Sequence, residues 1–158
     1  YGAEIEGSHI LFNNKLKLTS SIGYLETWID KYEFYTSDTE ITIRGNRDQS
    51  QSPELTCSMV ADIMPTKEIT LRVDYSLKES YYLSDSHDFK SDAYQLLNLS
   101  ASYKLNSMLI SIWAKNIIDV RYPVRGFYFG LEPNDFTEKL YLQWGDPFQI
   151  GLTLRYEI

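Results

Sequence analysis

The sequence predicts an all-β fold, an antiparallel up-and-down sheet of the kind that builds a transmembrane β-barrel, present here as about seven strands in an open, curved arrangement. Three observations carry this. Apolar residues recur with a period of two over segments of about nine to eleven residues, short turns alternate with long polar loops, and no segment has a convincing helical period. The last eleven residues are the clearest case. Phe148, Ile150, Leu152, Leu154, Tyr156 and Ile158 point one way, while Gln149, Gly151, Thr153, Arg155 and Glu157 point the other.

The remaining strands follow in chain order. Residues 1–12 form a weaker case, with Ala3 and Ile5 against Glu4, Glu6 and Ser8. Leu16, Leu18, Ile22, Tyr24 and Trp28 oppose Lys15, Lys17, Thr19, Ser21, Gly23 and Thr27, which predicts a strand reaching as far as Lys31; Ser20 and Glu26 interrupt its apolar side. Leu55, Cys57, Met59, Ala61 and Ile63 oppose Glu54, Thr56, Ser58 and Asp62. Leu71, Val73, Tyr75 and Leu77 oppose Thr70, Arg72, Asp74, Ser76 and Lys78. Leu97, Leu99, Ala101, Tyr103 and Leu105 oppose Asn98, Ser100, Ser102 and Lys104. Residues 108–118 are strand-like, although Trp113 falls among the polar positions.

Asn13-Asn14, Pro65-Thr66 and Asn106-Ser107 have the composition of tight turns. Between them lie long polar loops at about 33–52, 83–93 and 119–147. Strict alternation of short and long connections places all the short turns at one end of the sheet and all the long loops at the other. Outer-membrane barrels are built this way.

Composition removes several function classes. A formal charge of −7 and a pI near 4.8 leave no basic stripe for nucleic acid. Cys57 is the single cysteine, so neither an intrachain disulfide nor a thiolate zinc cluster can form. No apolar run approaches the length of a membrane-spanning helix, and the mean hydropathy of −0.34 is low. A β-barrel escapes that test because its lumen-facing residues dilute the hydropathy. The start at Tyr1-Gly2-Ala3-Glu4 falls inside a strand pattern and reads as a cut edge rather than a signal peptide.

Alternation alone leaves two solvent assignments open. In a membrane barrel the apolar face meets lipid; in a soluble barrel it points inward and can hold a small apolar ligand. Strands of about nine to eleven residues match the membrane requirement, where soluble strands average about five to six. Tyr24, Trp28, Tyr75 and Tyr156 fall near the ends of apolar faces, as aromatic girdles do. A complete small barrel, acting as a membrane hydrolase or adhesin, conflicts with an odd strand count.

The stretch Trp113-Ala114-Lys115-Asn116-Ile117-Ile118-Asp119-Val120-Arg121-Tyr122 resembles the Asn-Leu-Phe-Asp-x-x-Tyr signature near the end of TonB-dependent outer-membrane receptors. Gly126-Phe127-Tyr128-Phe129-Gly130, Gly145-Asp146-Pro147 and the terminal alternation are similar to that family's last loop and final strand. The resemblance covers residues 1–158 and implies the last seven strands of a 22-stranded barrel, without its plug domain. It assigns Asn116, Asp119 and Tyr122 to the family motif. Gly151, Leu154, Tyr156 and Ile158 become the C-terminal signal read by the barrel assembly machinery.

The same resemblance implies the outer membrane of a Gram-negative bacterium, contact with outer-membrane lipid, and association with the remainder of the barrel and the plug. TonB would be engaged through an N-terminal region not in this sequence. The implied activity is uptake of a small-molecule nutrient such as a siderophore or vitamin, with neither catalysis nor a cofactor. Three positions depart from the family pattern: Ile158 in place of Phe, Ala114 in place of Gly, and Phe148 in place of Arg. The apolar period survives all three.

Ser84-Asp85-Ser86-His87-Asp88 contains the residue types of a hydrolytic triad. Triads are assembled in space, however, and neighbours in one loop rarely meet the geometry. A metal site is not expected either, because a lone His among carboxylates lacks a second firm ligand. His9 reads as a boundary residue. Charges on the polar faces, including Arg72, Asp74, Lys78 and Arg155, read as a wetted lumen wall. Tyr81, Tyr82, His87, Tyr128 and Phe129 lie in or beside long loops and are the candidate ligand contacts.

Overall fold

The computed structural model describes residues 1–35 and 40–157, with Phe34 as backbone only. Its elements in chain order are β1 (Gly2–Leu11), β2 (Leu16–Leu25), β3 (Tyr32–Tyr35), β4 (Ile41–Arg44), β5 (Leu55–Ile63), β6 (Ile69–Lys78), β7 (Tyr94–Leu105), β8 (Met108–Lys115), β9 (Pro123–Phe129), β10 (Lys139–Trp144) and β11 (Gln149–Tyr156). Seven of them form one antiparallel sheet in the order β1-β2-β5-β6-β7-β8-β11. The pairs β3-β4 and β9-β10 are separate hairpins inserted into two of the long connections.

All seven expected wall strands are present, and their boundaries differ for local reasons. β2 stops at Leu25 and does not reach Lys31; the Glu26 amide bonds Tyr1 O, and Ile29 then bridges to Arg47, turning the chain off the sheet. Trp28 therefore lies beyond the strand, exposed. β8 ends at Lys115 because Asn116 adopts φ +47°, a left-handed conformation no strand can continue. The loops expected at about 33–52 and 119–147 each hold a hairpin.

Register carries the two-faced pattern across the whole sheet. One apolar row runs Leu11, Leu16, Ile63, Leu71, Ala101, Ile112, Leu152, and the next runs His9, Leu18, Ala61, Val73, Leu99, Ala114, Ile150. On the opposite face one row reads Ile10, Lys17, Asp62, Arg72, Ser100, Trp113, Gly151. That polar face is knitted by cross-strand bonds: Ser21 to Ser58 (3.1 Å), Ser102 to Ser111 (2.8 Å) and a two-pronged Arg72–Asp62 pair (2.6 and 3.0 Å).

Among the described residues the deeply buried ones are Arg47, Tyr81, Leu83, His87, Ser91, Asn116, Pro123 and Gly126, and none belongs to the seven-stranded sheet. The wall has no core of its own. Leu71 is 38% exposed and Leu154 63% exposed, so the apolar side chains do not meet in a sealed centre, as a soluble barrel with an internal apolar ligand requires. Packing is concentrated at the long-loop end instead.

Candidate functional site at the long-loop end

The chain leaves β8 through a knot centred on Asn116. Its side-chain amide donates to Val120 O (2.9 Å) and Asp146 O (3.0 Å), while its Oδ1 accepts from the Val120 amide (3.0 Å). The Asn116 backbone amide in turn donates to Asn98 Oδ1 on β7 (2.9 Å). Asp119 Oδ1 accepts from the Phe148 amide (3.0 Å), directly before β11. Tyr122 stacks on Tyr94 at 4.4 Å between ring centroids, and a Cβ built at Gly145 would overlap the Tyr122 ring. Burial pushes the Tyr122 phenol above its ordinary pKa, with the nearby Asp146 carboxylate adding to the shift. The three motif residues thus tie the exit of β8 to the entry of β11, across a connection that holds β9 and β10.

A second cluster joins all three long connections. Arg47, 8% exposed, donates to the carbonyls of Ser84 (2.9 Å), Asp85 (3.1 Å) and His87 (2.7 Å) and to Asp88 Oδ1 (2.9 Å). Its guanidinium also lies 4.2 Å from the centre of the Tyr82 ring, whose other cation neighbour is Lys90 at 4.3 Å. His87 Nδ1 accepts from the Phe89 amide (3.2 Å), which leaves Nε2–H to donate to Gly126 O (2.9 Å). Both ring nitrogens are used.

The candidate ligand contacts therefore divide. Tyr81 and His87, expected as exposed loop residues, are buried at 4% and 5% exposure, because Leu83, Ser91 and the β9 backbone close over them. Tyr128 and Phe129 are exposed on β9, and Tyr82 is half-buried between its two cations. No triad geometry arises from the Ser84-to-Asp88 segment: Ser84 Oγ bonds Ser86 Oγ (2.9 Å), and the His87 ring bonds main chain only. Arg47 and Gln51 carry this cluster together with Gly126, yet nothing in the sequence marked Arg47 or Gln51, since their partners are mainly carbonyls of distant segments.

On the β9-β10 hairpin, Thr137 Oγ1 donates to Asp135 Oδ2 (2.9 Å) and Lys139 Nζ lies 3.3 Å from Oδ1. The Thr137 bond, with Lys139 second, holds the Asp135 carboxyl below its usual value. A lowered carboxyl contributes stability that is present above the ordinary pKa of about 3.9 and is lost as pH falls through the folded value. Amide exchange in Lys139–Trp144, corrected for intrinsic rates, is expected to lose protection on acidification below roughly pH 4, and Asp135→Asn to remove that dependence. Unchanged behaviour in D135N would contradict it.

Trp113, a bulky side chain at a polar register position, is explained by its partner. Gly151 sits opposite it on β11, and a Cβ there would overlap the indole ring. The indole crosses this gap and donates Nε1–H to Thr153 Oγ1 (3.2 Å). Gly151→Leu is expected to lift the ring off the wall, at a cost of about 1–3 kcal/mol for overpacking. A red shift in Trp113 emission, measured with Trp28 and Trp144 replaced, would report it; unshifted emission would show that the glycine is not needed.

No family model matches the sequence. The fold is similar to that of the siderophore receptor PiuA from Acinetobacter baumannii, with a TM-score of 0.77 over 98% of this chain and 21% of that one, at 13% identity. The fold is that of a section of a TonB-dependent receptor barrel. Two further receptor barrels agree. The ferric yersiniabactin uptake receptor FyuA from Yersinia pestis gives 0.59 at 12% identity, over 98% of this chain and 29% of that one. The open form of the ferric-catecholate import receptor Fiu from E. coli gives 0.53 at 14% identity, over 98% and 26%. The chain therefore spans about a fifth to three tenths of the length of these receptors. At such identities the likeness concerns the fold, and within it β1 to β11 are wall strands and loop hairpins.

Proposed function

We propose that this chain supplies wall and long loops to a TonB-dependent receptor in the outer membrane of a Gram-negative bacterium, which takes up a siderophore, vitamin or similar scarce nutrient. The carrying observation is the two-faced sheet. Its apolar rows expose Ile5, Ile22, Ile112, Ile150, Leu152 and Leu154 with nothing packed on them, whereas its opposite rows hold the ionic and hydroxyl groups. Acyl chains satisfy the first surface and a water-filled or plugged lumen the second. In this reading the long loops face outward, Tyr82, Tyr128 and Phe129 are the loop residues open to ligand, and the protein is not an enzyme. The plug, TonB and the barrel assembly machinery are its partners. Gly151, Leu154 and Tyr156 belong to the assembly signal, together with Ile158, which lies outside the described residues.

Two measurements test this. Single nitroxide labels at Leu152 and Thr153 in membranes are expected to be oxygen-accessible and water-accessible respectively; the reverse result overturns the orientation. A strain lacking the gene is expected to lose iron-limited growth on one member of a panel of ferric siderophores, or growth at limiting cobalamin or haem. Growth unaffected on every member, with uptake of each unchanged, overturns the import reading.

A further inference from the structure

We infer that the three long connections form a single preformed cap that opens and closes as one body, with Arg47 and His87 as its two fasteners. Three independent loops would each bury little and move separately. Here the buried side chains outside the Asn116 knot gather at one place, and Arg47, Gln51 and His87 each reach from one connection into another. Arg47 and Gln51 reach from the segment after β4 into the segment after β6: Arg47 through four bonds, Gln51 through its amide to Tyr82 O (2.8 Å) and its Nε2 to Leu83 O (2.9 Å). Arg44 Nε adds a bond to Ser86 O (3.1 Å).

From that central segment His87 reaches on to β9, bonding Gly126 O and meeting the Tyr128 ring edge-on at 5.1 Å. A side chain at Gly126 would press on the side chains of Leu83 and Leu142, so the bare Gly126 backbone lies against the Leu83 side chain of the central segment. The central segment is thus held on both sides by fully used polar groups. Removing Arg47 leaves the Ser84, Asp85 and His87 carbonyls without their donor, and removing His87 leaves the Gly126 carbonyl and the Phe89 amide without their ring partner, a cost felt by the segments on both sides.

Hydrogen exchange on the detergent-purified receptor carrying this sequence tests the idea. Arg47→Met is expected to lower protection by about tenfold or more in residues 82–91 and equally in 124–128, with β5 to β8 unchanged. Arg47 makes no contact with 124–128, so loss confined to 82–91 would overturn the one-body reading. His87→Phe, which fills the same space, is the second arm. It is expected to loosen 82–91 together with 124–128, and the double variant to add little to either single one. Additive losses, or release of 124–128 alone in H87F, would mean separate loops.

Discussion

Asn116→Ala is expected to lower the stability of the wall by about 3 kcal/mol, since buried polar groups left unpaired each cost about 1–3 kcal/mol. Three bonds vanish together, those to Val120 N, Val120 O and Asp146 O. Alanine must also hold the φ of +47° that asparagine tolerates better. Urea unfolding in detergent reads the loss, and proteolysis between 117 and 147 reads its location. Asn116→Gly separates the two causes, because it relieves the backbone while removing the same bonds. An unchanged midpoint in both variants would show that the knot carries no load.

Gly145→Val is expected to cost about 2 kcal/mol or more, from overpacking and from a stacked aromatic pair worth about 0.5–1.5 kcal/mol. Tyr122 lies between Gly145 and Tyr94, so the new side chain can be accommodated only by breaking the stack. Gly145→Ala should show the same direction with a smaller effect. The check is the urea midpoint together with loss of the near-ultraviolet signal of the pair. Retention of both in G145V would mean that the ring has another place to go.

The wall was legible because a strand's period of two is written in consecutive residues, and register then only repeats it from strand to strand. Glu33 to Tyr35 and Pro123 to Phe129 fall within the expected loops because these hairpin strands are short and show no alternation of the wall's length. Asn116, Asp119 and Tyr122 were found through a contiguous motif, and the structure places them at one junction. Nothing in the sequence singled out Arg47, and His87 stood among the candidate ligand contacts, not among buried groups. Their partners are mainly main-chain groups brought together by three separate connections, and a main-chain group has no letter in the sequence. Trp113 stood out as an exception to its strand, but its explanation lies in Gly151, on a strand distant in sequence and adjacent in the sheet.

An antiparallel meander reverses heading at each step, so the first and seventh members of this sheet travel in the same direction. β1 and β11 each have a single neighbour among the described residues. Were these two rims to meet directly, their pairing would be parallel, against the pattern of every other ladder in the wall. Parity therefore decides what can complete the ring: an antiparallel seam demands an odd number of intervening strands.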